Sequence, residues 1–213
     1  MEIRVNPTRM ELNRLKKRLS MARRGHKLLK DKQDELIRQF ILLVRKNKEL
    51  RERIEQELAG AFAEFLLARA VMPLEVLEEA LMYPTRDFAL SVHKQNIMSV
   101  YVPRFSWQEK TAEQGDAGIY PYGFVDTSAE LDISIETLSG IMPELLELAQ
   151  LEKAVELLAA EIEKTRRRVN ALEHVLIPKI EETIRYIAMK LDENERGALT
   201  RLMKIKDVVR AKT

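Results

Sequence analysis

The chain has 213 residues, 33% of them charged, 46% apolar and only 6% aromatic, a mixture that suits helices each exposing one broad polar face. Cysteine is absent, which excludes disulfides, thiolate metal sites and a cysteine nucleophile, and the three histidines are too dispersed to indicate a metal cluster. The net charge of +2 hides an uneven distribution: residues 1–60 hold 17 basic and 9 acidic side chains, residues 61–140 hold 5 and 12, and residues 141–213 hold 14 and 13.

The leader "MEIRVNPTRM" lacks the apolar run of a signal peptide, and no segment approaches the length of uncharged apolar sequence that crosses a bilayer. The expectation is a cytosolic chain that meets a membrane only through another protein. Helix starts at "NPTRME", where Asn6 caps with Pro7 at the first helical position, or Thr8 and Glu11 form a capping box.

From Leu15 the positions Leu19, Ala22, His26, Leu29, Gln33, Leu36, Phe40, Leu43, Asn47, Leu50 and Ile54 follow in steps alternating between four and three. This is a heptad seam, and only His26, Gln33 and Asn47 break its apolar character. Polar seam residues fix register and partner at a cost in stability. After Ile54 the apolar positions are Leu58, Ala61 and Phe65, a stutter that unwinds the supercoil locally.

The middle differs in period and punctuation. "VMPLEVLEEALMYPT" places Pro73 and Pro84 around a short amphipathic helix, Leu74 to Leu81. "DFALSVHKQNIMSVYVPRF" alternates, with Phe88, Leu90 and Val92 on one side and Met98, Val100 and Val102 in its second half, which predicts strand, turn, strand. "QGDAGIYPYG" reads as loop. "SAELDISIE" alternates through Leu131, Ile133 and Ile135 and is either a strand or the start of the next helix. Ser139 and Gly140 then lead into "IMPELLELA", where Pro143 is expected in the first helical turn.

A second seam runs through Leu145, Leu148, Leu151, Val155, Leu158, Ile162, Thr165, Val169, Leu172 and Leu176, and an apolar stripe continues through Ile180, Ile184, Ile187, Leu202, Ile205 and Val209. Pro178 removes an amide hydrogen within this helix and predicts a bend. Each arm would be a helix of roughly 90–100 Å at about 1.5 Å per residue. Each has a stripe to bury, and the nearest partner is the other arm. The predicted fold is mainly α: an antiparallel two-helix coiled coil of residues 1–70 and 141–213, with residues 71–140 forming a small cap of one short helix and a β-hairpin.

The candidate functional residues lie on the arms. Within residues 1–32 there are 11 basic groups against 3 acidic ones, including Arg9, Arg14, Lys16, Lys17, Arg18, Arg23 and Arg24, a density that asks for an acidic partner surface or for solvation. Arg166, Arg167 and Arg168 are consecutive, and about 100° per residue keeps the three guanidinium groups off a common face. With Glu161, Glu163 and Glu173 near them, a solvated coil face or a protein contact fits better than a phosphate-tracking groove. Asn170 and His174 lie one turn apart beside the second seam and could bond across it. The pairs Glu35 with Gln39, Glu49 with Arg53 and Glu181 with Arg185 are ordinary helix-face neighbours. No glycine-rich phosphate loop, HExxH or GxSxG motif is present, so no catalytic residue, cofactor site or metal site is expected.

Two long stretches carry a resemblance: "VNPTRMELNRLKKRL" with "ARRGHKLLKDKQDEL" in the first arm, and "EKTRRRVNALEHVLIPKIEETIRYI" in the second. With the layout around them they resemble the D subunit of the V-type and archaeal-type rotary ATPases, the central-stalk shaft. The resemblance implies torque transmission between an ion-translocating membrane ring and a hexamer of alternating catalytic A and regulatory B subunits. It further implies a small central-stalk partner, the F subunit, and a funnel-shaped subunit of C or d type above the membrane ring. In that setting the basic first arm belongs to the end entering the hexamer, with no specific nucleic acid, no direct membrane insertion and no nucleotide site on the chain itself. From periodicity alone a non-motor coiled-coil scaffold or adaptor stands as the alternative.

Overall fold

The structure, a computed structural model, describes residues 6–82, 86–111, 119–123 and 127–210. Its elements are α1 (Arg9–Val71), α2 (Leu74–Leu81), β1 (Arg86–Ile97), β2 (Val100–Thr111), α3 (Ala129–Ala171), a π turn (Leu172–Leu176) and α4 (Ile177–Arg210). The fold class is the predicted one. The chain divides into two compact units, one made of the residues up to Glu35 with those from Ile162 onward, the other spanning Leu36–Glu161.

In the first unit α1 begins as its capping residues dictate: the Thr8 hydroxyl accepts a hydrogen bond from the Glu11 amide at 3.3 Å, satisfying one of the donors that a helix start leaves over. The beginning of α1 then lies antiparallel to α4. Leu15, Ile180 and Ile187 form the buried centre, flanked by Leu12, Leu19, Leu176, Ile184 and Leu191. Across the same pair Arg23 meets Glu181 at 2.6 Å, and Arg9 meets Glu195. Thr165 is buried in its seam position, as is Val169. The polar run around residues 192–197 does not break α4, which remains helical to Arg210. Beyond it Leu202, Ile205 and Val209 stay exposed, so the apolar stripe outruns its cover in this unit.

Immediately ahead of Pro178 the backbone adopts a π turn, with the Ile177 amide bonded to the Leu172 carbonyl. One widened turn is a common way for a helix to absorb a residue that cannot donate.

In the second unit the remainder of α1 lies antiparallel to α3. Leu50, Ile54, Ile141 and Leu151 form one core cluster, joined by Leu43, Leu58, Leu145 and Leu148. A second cluster holds Ala68, Met72, Leu77, Ala80 and Leu131 together with Phe65, Val76, Tyr122 and Ile135, so α2 folds back onto the end of α1. Pro73 stands at the N-cap of α2 in extended conformation (φ −60°, ψ 143°), which ends α1 and turns the chain. The Tyr122 hydroxyl donates to Asp132 at 2.6 Å, and burial, reinforced by that carboxylate, pushes its phenol well above the ordinary tyrosine range.

Two expectations fail here. Helix α3 starts at Ala129, so Pro143 lies well inside it rather than in its first turn. The reason is burial: Leu131, Ser134 and Ile141 all face inward at helical spacing, and the Ser134 hydroxyl donates to the Ala61 carbonyl at 3.0 Å. Packing of this kind outweighs an internal proline that costs about 3 kcal/mol. Met98 is the other case. It belongs to the hairpin turn and not to β2, because Ile97 pairs with Val100 and leaves Met98 and Ser99 as a two-residue loop with φ of 49° and 73°. Both left-handed conformations are what a type I′ turn requires to match strand twist. The Ser99 amide is held by the Asn96 side chain at 2.8 Å.

Strands β1 and β2 pair antiparallel along their whole length. Val100 and Val102 on one face of the hairpin are buried, and Gln150 of α3 ties the hairpin to the coil by accepting the Phe105 amide at 2.7 Å. Its other face carries Phe88 and Trp107 in an edge-on contact at 5.9 Å, with Leu90 and Val92 exposed beside them.

Candidate functional site

The basic first arm is sorted by its neighbours into answered and unanswered charges. Arg9 pairs with Glu195, Arg14 with Glu11 at 3.2 Å, and Arg23 with Glu181 at 2.6 Å. Lys16, Lys17, Arg18 and Arg24 are exposed. At about 100° per residue Met10, Arg14, Lys17, Met21, Arg24 and Leu28 fall on one side of α1. Met21 and Leu28 are 63% and 70% exposed there, so this outer face mixes cations with apolar side chains.

The arginine run lies on α3 with Thr165 and Val169 turned inward on either side of it. Arg167 is tied to Glu163 one turn back on its own helix, while Arg166 and Arg168 are exposed. Asn170 and His174 are exposed as well. The contact across the helix pair at this level comes instead from Glu173, whose carboxylate oxygen is 3.2 Å from His26 Nε2. His26 is thus the seam residue with a polar answer on the opposite helix; Gln33 and Asn47 are half-buried in their seam positions. Sequence reading named His26 as a seam residue and Glu173 only as a charge near the arginine run, and the two meet across the helix pair.

Arginines of α1 also reach across, among them Arg53, which was read as the local partner of Glu49. Arg53 lies 3.9 Å from Glu144, and Arg51 bonds both Glu55 at 3.0 Å on its own helix and Glu152 at 3.4 Å on α3. Among the described residues there is no group of three or more His, Cys, Asp or Glu placed to hold a metal ion, and no helix is long and apolar enough to cross a membrane.

These surfaces hold charges at helix faces, polar residues in a seam, and apolar side chains facing outward. Known proteins match this sequence over nearly its whole length. The family of ATP synthase D subunits matches residues 11–207. The D subunit of a V-type ATP synthase from Clostridium botulinum (strain Langeland / NCTC 10281 / Type F) is 62% identical over 213 residues, covering 100% of this chain and 98% of the relative. Proteins of the same description from Acetivibrio thermocellus and Clostridium novyi (strain NT) are 64% and 59% identical over 207 residues, covering 97% of this chain and 92% and 95% of the relatives. A match of this extent leaves no segment of the architecture outside it, and the chain belongs to the D-subunit family of V-type ATP synthases.

Proposed function

We propose that the chain is the central rotor shaft of its ATP synthase complex, carrying torque between the ion-translocating membrane ring and the nucleotide-binding hexamer. The observation that carries this reading is the pairing of α1 with a chemically unlike helix in both units. A shaft must be stiff along its length and unequal around its axis. The continuous apolar seams supply stiffness. Inequality comes from the contrast between the face of α1 that mixes Arg14, Lys17 and Arg24 with Met21 and Leu28 and the interspersed acids and bases of α4.

On this reading each catalytic site is biased by the face it meets, and turning the shaft shifts the population of site conformations in sequence. The free energy for this is differential contact, so no residue of the chain takes part in bond breaking. The partners are the catalytic A and regulatory B subunits, the small F subunit of the stalk and the funnel-shaped subunit. The chain is then held peripherally on the cytoplasmic side of the membrane through the complex. Native mass measurement tests the reading. One copy of the chain, with one small partner, should enter each purified hexamer and change its ATP turnover. A folded chain that never enters the hexamer would contradict it and return the coiled coil to a scaffold role.

A further inference from the structure

Pro178 requires some adjustment of the helix ahead of it, and the positions of the inward-facing residues explain why that adjustment is a widened turn. On α1 the inward residues of the first unit, Leu15, Leu19, Ala22, His26 and Leu29, keep strict steps of four and three. On the helix opposite, Thr165, Val169, Leu172 and Leu176 keep the same alternation. Its next member would be residue 179, but Lys179 is exposed and Ile180 is fully buried in its place. Ile184, Ile187 and Leu191 then follow in steps of four, three and four, each one residue later than the alternation requires. The second helix therefore holds one residue more than its partner over this stretch. A π turn bonds an amide to the carbonyl five residues back instead of four, as Ile177 does with Leu172, so it takes up one residue without turning away the faces beyond it. With Val175 taken out, the alternation has no exception: Leu172 to Ile177 becomes a step of four, and Ile180, Ile184, Ile187 and Leu191 follow at three, four, three and four.

We propose that the π turn is a register joint, a place where one spare residue is stored and where this helix pair opens first. The packing is thin at that level. No side chain between Val169 and Ile180 is buried, and Leu172, Leu176 and Ile177 are only half-buried. Val175 is 47% exposed, so the spare residue lies on the outer side and contributes nothing to the core. Polar contacts close the joint on either side: Glu173 is 3.2 Å from His26 Nε2, and Glu181 is 2.6 Å from Arg23. Opening between these two contacts leaves the cluster of Leu15, Ile180 and Ile187 in place. Local opening of this kind starts where buried apolar contacts are fewest. The inference concerns the chain itself and holds whether or not it turns inside a complex.

Hydrogen exchange on the full chain, read by mass spectrometry, tests it. The peptide over Leu172 to Ile177 should exchange at least about tenfold faster than the one over Ile180 to Ile187, and equal rates contradict the joint. Deleting Val175 should slow the first peptide, and the facing one around His26, at least about tenfold at unchanged far-UV helicity. Inserting one alanine after Val175 doubles the mismatch and should speed both. If the deletion speeds exchange as the insertion does, or prevents folding, the residue is not spare and the proposal is overturned. Pro178→Ala separates the two causes of the turn. The spare residue remains in that variant, so exchange over Leu172 to Ile177 should stay well above that of the deletion. Slowing by Pro178→Ala equal to that of the deletion would make the proline the sole cause and refute the joint.

Discussion

Replacing Ile187 by alanine should selectively loosen the unit built from the beginning of α1 and from α4. Ile187 is fully buried there with Leu15 and Ile180. The substitution deletes three carbon groups, worth about 2.5 kcal/mol at roughly 0.8 kcal/mol each. A residual cavity would normally add to this. In a pair of helices the core is one side chain deep, so Ile184, Leu191 and solvent close much of the space, and the total should stay near about 2–3 kcal/mol. That corresponds to roughly a 70-fold rise in the population of the opened unit, since about 1.4 kcal/mol is a factor of ten. Hydrogen exchange read by mass spectrometry should show this acceleration both in the peptide around Ile187 and in the one covering Leu12 to Leu19. Leu202→Ala is the control: at 63% exposure it should change stability by no more than about 0.5 kcal/mol. Acceleration confined to the α4 peptide, or equal effects of the two substitutions, would refute the antiparallel pairing on which the estimate rests.

The hairpin turn offers a gain rather than a loss. Met98 and Ser99 hold left-handed conformations that cost about 1–2 kcal/mol per non-glycine residue, so Met98→Asn with Ser99→Gly should slow amide exchange in β1 and β2 severalfold, and unchanged exchange would count against the turn assignment. Tyr122 gives a pH signature. Its phenol titrates higher in the folded chain than in the unfolded one, so its contribution is complete below about pH 10 and is lost as pH climbs toward the folded value; Tyr122→Phe should flatten that alkaline decline in chemical denaturation, and an unaltered decline would show that other groups cause it. Arg166→Glu with Arg168→Glu, on exposed positions of α3, should leave helicity intact while weakening assembly or uncoupling hydrolysis from ion transport. Unchanged assembly and coupling would return both arginines to a solvated face.

The arms were legible because their periodicity repeats over many turns, and burial reproduces it: Leu15, Ala22, Leu36, Leu50 and Ile54 lie inward at the predicted spacings. Thr165 is an instructive member of the second seam. Its hydroxyl gave no apolar signal, yet the step of three from Ile162 put it inside, where it is buried. What failed were short-range signals read in isolation. Pro143 speaks for a helix start only if nothing upstream packs, and the inward spacing of Leu131, Ser134 and Ile141 extends α3 past that signal. Met98 continues the alternation of Val100 and Val102, but register is set by which residues pair, and the Ile97 to Val100 pairing leaves it in the turn. The π turn at Leu172–Leu176 could not be read at all, since Pro178 demands an adjustment without saying whether the chain bends, breaks or widens by one residue.

The surface features were harder to see than the fold. Glu173 looked like background charge until the opposite helix placed His26 3.2 Å away. The apolar face at Phe62, Leu66 and Leu67 was hidden by composition itself: a run this apolar reads as core, and only the exposures show that the unit covers one side of it.

The central claim is tested most directly by watching the chain turn. With no native cysteine, a single one introduced at the exposed Lys94 position of the hairpin would carry a bead, with the hexamer fixed to a surface and the small stalk partner added. The account predicts unidirectional rotation of the bead on addition of ATP, stopping when ATP is withdrawn. A bead that stays still while the assembled hexamer hydrolyses ATP would contradict it.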